Sequence, residues 1–228
     1  IAEGGETGVP SDATITGKVK AIDKRPHPTL VSVESIAIAR ADDGEPMDFP
    51  EDPDWRRISR EESLARIREA GIVGLGGAAF PTHRKLALPA NVRVDTLVVN
   101  GAECEPYLTS DYSVMLSQPT EVIEGALAMA RILGVTRVLV GAEVDKAPAV
   151  EKLRSAIAET ILDGASIEVV PCEVRYPQGA ERQLVTALTG RVVPPRALPT
   201  AVHVLVQNVA TAAAVHEAIR FRKPLLDR

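Results

Sequence analysis

The sequence predicts an α/β fold, a mostly parallel sheet flanked by helices, with a small N-terminal β-region. Three observations lead there. Short apolar segments at 96–99 (TLVV), 137–141 (RVLVG), 166–170 (SIEVV) and 202–206 (VHVLV) have the length and composition of buried strands. Stretches with helical spacing separate them, which is the alternation of βαβ units. Residues 13–20 (ATITGKVK) and 30–39 (LVSVESIAIA) alternate apolar and polar positions instead, the period of a half-buried strand.

Taken in order, residues 1–42 form a partial β-hairpin or barrel-sandwich-like region. Its two strands are separated by 24–29 (KRPHPT), where two prolines predict a loop. A lone hairpin is marginal in water, so this one needs other strands or packing on the main domain. Residues 43–58 are acidic and proline-rich and read as a linker, anchored by Trp55. The α/β domain then spans 59–228. Ser59 with Glu62 forms a capping box ahead of a helix over 60–70, which stops at Gly71. Further helices are expected over 81–88, 122–133, 146–162, 183–189 and 211–221. In parallel sheets ligands sit at the carboxyl ends of strands. The segments after the strands are 100–107, 141–145, 171–181 and 207–211, and three of them carry unusual polar residues.

Composition narrows the function. The 228-residue chain is 45% hydrophobic and only 3% aromatic, so its core is built from Ala, Val, Leu and Ile. A net charge of −5 with no basic run argues against nucleic acid. Two cysteines, Cys104 and Cys172, with no C-x-x-C, cannot hold an iron–sulfur cluster or a cysteine zinc site alone. The four histidines form no ligand pair, so no metal site is expected. No apolar run reaches the about 18–20 residues of a membrane span, and no signal peptide is visible. The chain begins at Ile1 rather than Met, as a processed or trimmed product would.

The most informative stretch is 71–85 (GIVGLGGAAFPTHRK). Gly74, Gly76 and Gly77 make a G-x-G-G turn before a short helix with Lys85 one turn in. Glycines let backbone approach a ligand, and a helix start favours phosphate. The pattern is neither the dinucleotide fingerprint nor the P-loop, and by itself it is equally a structural turn. In NGAECEPY, Glu103 and Glu105 at i, i+2 face one way if the loop is extended. They then accept from ribose hydroxyls or an amide, or simply form a solvated acidic turn. Tyr176 to Glu181 is a glycine-containing turn into a helix, with Tyr176 able to stack on a ring. At the last strand-to-helix turn, Asn208 or Thr211 is the expected N-cap.

In this order GLGGAAFPTHRKL, VVNGAECEPYLTSDY, YPQGAERQLVTALTG and VQNVATAAAV resemble the RnfC subunit of the Rnf membrane electron-transport complex. More distantly they are similar to the NADH-binding flavoprotein subunit of respiratory complex I. The likeness covers about residues 8–228, since GKVKAIDKRPHP also resembles the RnfC N-terminal β-region. The resemblance implies the FMN-binding core of that flavoprotein subunit, with NAD(H) stacked over the flavin and hydride exchanged between them. It places Gly74, Gly76 and Gly77 against the flavin, Lys85 at the FMN phosphate and Phe80 on the nicotinamide nucleotide. Asn100 and Glu103 correspond to flavin contacts and Glu105 to an NAD(H) contact. Tyr176, Gly179 and Glu181 correspond to the flavin-side loop, and Asn208 and Thr211 to the last phosphate-side element. No acid–base residue is implied.

The resemblance further implies electron exchange with iron–sulfur centres held outside this chain. It implies other Rnf membrane and iron–sulfur subunits as partners, and ferredoxin directly or through one of them. Electrons flow from ferredoxin to NAD⁺ with cation translocation, at the cytoplasmic face of the inner membrane, in a peripheral position. It also implies that this chain is the core of a longer protein, with more β-structure before it and a β-domain and iron–sulfur segment after it. The sequence departs from the complex I pattern at Ala102 and Ala180, where acidic residues are usual, and PRALP replaces a glycine-rich stretch. Two other readings share this core: a cobalamin-reductase-type flavoprotein and a non-catalytic docking scaffold. The wording ECEPYLTSDY favours RnfC, while Ala102 and Ala180 lend weight to the scaffold. A generic Rossmann dehydrogenase is disfavoured by the missing fingerprint.

Overall fold

The computed structural model describes residues 1–5, 8–41 and 47–226. Two strands, β1 (Gly17–Pro26) and β2 (Ser32–Arg40), pair antiparallel as a hairpin. The loop between them lies at 27–31, not 24–29, because β1 runs on through Lys24, Arg25 and Pro26. Pro26 is tolerated there because it ends an edge strand, where no ladder N–H is needed. Of the expected linker, 43–46 lies outside the described residues. The remainder is tied down: the Asp52 N–H donates to the Arg220 carbonyl at 2.9 Å, and Trp55 is buried with His216 edge-on at 5.4 Å.

Helix α1 (Arg60–Glu69) starts as its sequence dictates, with the Ser59 hydroxyl accepting from the Glu62 N–H at 3.1 Å. The Glu62 carboxylate turns to Arg66 at 2.9 Å instead of closing the box. After the glycine turn comes α2 (Thr82–Leu86), shorter than expected at both ends. The sheet then forms from β3 (Thr96–Gly101), β4 (Arg137–Glu143), β5 (Ser166–Cys172) and β6 (Val204–Asn208). All three pairings are parallel and the spatial order is β5-β4-β3-β6. The strands are connected through α3 (Ser110–Ser117), α4 (Pro119–Leu133), α5 (Ala147–Glu159) and α6 (Glu181–Thr189), and α7 (Val209–Phe221) comes after β6. Helix α3 was not expected. His203, expected in a strand, instead closes a short 3₁₀ turn with φ 61, so β6 begins two residues later than predicted.

The strand period divides the core in two. Leu97, Val99, Val138, Val140, Ile167, Val169 and Leu205 face the larger cluster, with α4, α5 and α7. Val98, Leu139, Val204 and Val206 face the smaller one, with Leu184 and Val185 of α6. Buried on both faces, such strands read as continuous apolar runs. On the larger side α4 and α7 approach so closely that a Cβ on Gly125 would lie 1.8 Å from the Ala212 carbonyl oxygen.

Sheet order fixes where a ligand can sit. From β3 the chain steps outward through β4 and β5, then returns to place β6 on the other side of β3. The reversal opens a crevice beyond the carboxyl ends of β3 and β6, the general ligand position in open α/β sheets. Asn100 and Asn208 sit opposite each other at that reversal.

Candidate functional site

The glycine turn is closed at its base by bonds from Gly74 N–H to the Phe80 carbonyl at 2.9 Å and from Ala79 N–H to the Gly74 carbonyl at 3.1 Å. Gly77 has φ +110, a conformation side-chain-bearing residues rarely adopt. The Leu75 N–H donates to the Thr211 hydroxyl at 2.9 Å. A Cβ on Gly76 would press on Asn208 Cβ at 3.3 Å. The turn is therefore seated on the start of α7. Among the described residues, the backbone N–H groups of Gly76, Gly77 and Ala78 have no hydrogen-bond partner.

Two further contacts draw in the remaining loops. Asn100 Nδ2 donates to the Gly179 carbonyl at 2.8 Å, and Asn100 Oδ1 accepts from the Ala102 N–H at 3.0 Å. A Cβ on Gly179 would lie 2.4 Å from the Ala102 carbonyl oxygen, so the loop after β5 closes on the loop after β3 only with glycine there. Lys85 Nζ lies 3.3 Å from Glu181 Oε1, joining α2 to the first residue of α6. Phe80, Lys85 and Glu181, with Leu198, Pro199 and Val206, line a cleft of about 450 Å³. Phe80 and Tyr176 are exposed at the rim, 48% and 74%.

The two loop carboxylates behave differently. Glu105 lies in the exposed turn. Glu103 is buried and its carboxylate is occupied by α3, accepting from the Ser110 hydroxyl at 2.9 Å and from the N–H groups of Asp111 at 2.9 Å and Tyr112 at 3.2 Å. These use three of the about four acceptor positions of a carboxylate. Asn208 is the N-cap of α7, its Oδ1 accepting from Ala210 N–H at 2.8 Å and Thr211 N–H at 3.2 Å.

Sequence reasoning missed three polar residues. Asp111 accepts from Asn208 Nδ2 at 2.7 Å. Burial pushes its carboxyl up to about 6, helped by the like charges of Glu103 and Glu105 and opposed by the Asn208 bond. Glu143, at the end of β4, is 1% exposed with one oxygen unpartnered, and burial followed by Asp145 raises its pKa. Gln207, beside Asn208 at the end of β6, is buried with its Nε2 unpartnered. None has a local spacing that marks it. Each is buried by segments distant in sequence.

This donor set suits a phosphorylated flavin. It combines an ammonium group, a turn with unpartnered N–H groups, a buried amide donor without an acceptor, and aromatic rings at the rim. Ala102 and Ala180 offer no carboxylate, the first packed in the smaller core and the second the N-cap of α6. Among the described residues no group of three His, Cys, Asp or Glu side chains could hold a metal ion. Both cysteines are free, and no described helix is long and apolar enough to cross a membrane.

The Nuo51 FMN-binding domain model of complex I matches residues 67–217, well over half of the chain. The chain is 42% identical over 217 residues to the RnfC subunit of the proton-translocating ferredoxin:NAD(+) oxidoreductase complex of Clostridium ljungdahlii, covering 95% of this chain and 46% of that one. It is 42% identical over 230 residues to the RnfC subunit of the Na(+)-translocating ferredoxin:NAD(+) oxidoreductase complex of Acetobacterium woodii, covering 98% and 50%. It is 43% identical over 218 residues to the RnfC subunit of the ion-translocating oxidoreductase complex of Pseudomonas aeruginosa, covering 95% and 28%. The chain thus spans half or less of the length of these relatives. A chain in the crystal structure of NAD+-reducing [NiFe]-hydrogenase in the H2-reduced state superposes with a TM-score of 0.62 at 23% identity, covering 73% of this chain and 31% of that one, a likeness of fold. With the glycine turn, the β3 loop and the α7 cap all inside the matched span, the chain belongs to the Nuo51 FMN-binding domain family, on the side of its RnfC relatives.

Proposed function

We propose that this chain is the FMN- and NAD(H)-binding core of an RnfC-type subunit, serving a cation-translocating ferredoxin:NAD oxidoreductase complex. The observation that carries the reading is the convergence of four sequence-distant segments on one crevice, through the contacts Leu75–Thr211, Asn100–Gly179, Lys85–Glu181 and Asp111–Asn208. When bound, FMN supplies the hydride exchange with NAD(H) and the one-electron exchange with iron–sulfur centres carried outside this chain.

The chain's own residues bind and orient. Lys85 neutralises the phosphate, releasing part of its pairing with Glu181. The N–H groups of Gly76, Gly77 and Ala78 and the α7 start, with Asn208 and Thr211, take the anionic and carbonyl oxygens. Asn100 and Gly179 hold the two flanking loops at fixed separation, and Glu103 acts behind them by fixing α3. Phe80 and Tyr176 offer ring faces, Phe80 toward the nicotinamide nucleotide, and Glu105 is placed to accept from the NAD(H) hydroxyls. In this role the subunit sits peripherally at the cytoplasmic face of the inner membrane, with membrane and iron–sulfur subunits and ferredoxin as partners.

The test is anaerobic reconstitution. The purified chain with FMN is expected to retain flavin absorption through gel filtration and to bleach on addition of NADH. Retention without bleaching would reject the NAD(H) assignment, and no retention would favour the scaffold, the reading to which Ala102 and Ala180 give weight.

A further inference from the structure

Asp111 has no assigned place against the ligand, yet it sits behind the cradle. It is the second residue of α3, and its Oδ2 accepts from Asn208 Nδ2 at 2.7 Å. The other end of that amide, Oδ1, caps α7 through Ala210 and Thr211 N–H. The Thr211 hydroxyl accepts from Leu75 N–H, inside the glycine turn, while Gly76 rests against the Asn208 side chain. One short chain of contacts therefore runs from Asp111 to the cradle.

The chemistry of that chain depends on which way round the amide stands. A side-chain amide has a donor end and an acceptor end. With the ends exchanged, N–H would face the N–H groups of α7 and the cap would be lost. An ionised carboxylate only accepts, so it admits a single orientation. A protonated carboxyl also donates, and so admits both.

We infer that Asp111 is a positioning residue for the cradle, whose carboxylate locks the Asn208 amide and, through it, the seat of the glycine turn, so that flavin affinity depends on Asp111. The inference rests on the proposed flavin-binding function. The charged groups facing Asp111 are Glu103 and Glu105 from the β3–α3 loop. Helix α7 faces it with the uncharged Asn208, and Lys146, just ahead of α5, is paired with Asp145 and lies over the neighbouring Tyr112 ring. Held near 6, the carboxyl loses its charge on mild acidification. The same shift has the opposite sign for the fold. A carboxyl raised above its ordinary 3.8 contributes stability that is complete below that value and lost as pH rises through about 6. Acidification therefore strengthens this contribution to folding while it unlocks the amide.

The experiment measures the FMN dissociation constant by flavin fluorescence across about pH 8 to pH 5, with a thermal melt at each point. For the parent chain, affinity is expected to fall about tenfold on acidification, as for loss of one hydrogen bond to a charged group. Asp111→Asn, nearly isosteric and uncharged, mimics the protonated form. It is expected to bind about tenfold more weakly at neutral pH and to show no further fall. Parent-like affinity of Asp111→Asn at neutral pH, or a parent-like slope in it, would overturn the inference. Should that variant not fold, constant parent affinity over the same range would overturn it alone. A parent chain that takes up no FMN would defeat the functional reading itself, a result distinct from flavin binding indifferent to Asp111.

Discussion

Lys85 and Glu181 are the charges nearest the cleft, and each is partly open to solvent. Their pairing is worth little by itself, since exposed ion pairs contribute about 0–1 kcal/mol. A phosphate offers Lys85 a stronger partner. Lys85→Ala is therefore expected to leave the thermal midpoint nearly unchanged and to weaken FMN about tenfold, while riboflavin, lacking the phosphate, binds as before. Comparing the two ligands by fluorescence titration checks this, and equal losses for both would remove the phosphate assignment. His216 belongs to stability instead. It is buried with Nδ1 unpartnered and held down to about 4 by burial, then by Arg220 and Arg56. A depressed histidine favours the fold while neutral, so its contribution is whole above 6.5 and is lost as pH falls toward 4. The loss is about 3 kcal/mol. His216→Leu is expected to flatten that acid limb in urea unfolding. An unchanged limb would mean that other groups set it. The sequence made the glycines, Lys85 and Asn208 legible, because each belongs to a local pattern. Asp111 and Gln207 stayed hidden because their burial comes from α7 and β3, far away in the chain.

Helix α3 shows what local patterns cannot carry. Thr109 makes no side-chain cap bond, and SDYSVMLS has little apolar periodicity. The start signal is Glu103, seven to nine residues upstream, whose carboxylate reaches Ser110, Asp111 and Tyr112. Read alone, Glu103 and Glu105 are a carboxylate pair facing a ligand. With α3 present, Glu103 is a remote cap. Glu103→Ala is expected to cost about 1–2 kcal/mol, in the range of lost N-caps, visible as a lower urea midpoint. A neutral result would mean that α3 is held by packing alone. Gly125 in α4 tests the other kind of element-scale constraint. Alanine there gains about 1 kcal/mol of helix propensity. Its Cβ would meet the Ala212 carbonyl at 1.8 Å, however, and forcing α4 from α7 costs about 1–3 kcal/mol. Net destabilisation of Gly125→Ala is expected. Stabilisation would show that the helices part freely.

At the scale of the molecule, the four sheet strands were legible as apolar runs because both faces of the sheet are covered, Val98 on one side and Leu97 and Val99 on the other. Their order was not legible. That β6 returns beside β3 is settled by the packing of α7 on α4, where Gly125 meets Ala212, and no local signal encodes it. Yet this order creates the crevice, since it sets Asn100 opposite Asn208 and seats the glycine turn between neighbouring loops. The resemblance supplied the loops as four motifs, and the topology explains why they meet. Hydrogen exchange of the chain with and without FMN, read at peptide resolution, tests that meeting most directly. Simultaneous protection is expected in residues 74–80, 100–107, 176–181 and 208–211, with the partnerless N–H groups of Gly76, Gly77 and Ala78 gaining most. Protection confined to one of these segments, or appearing elsewhere, would contradict a single flavin held by all four.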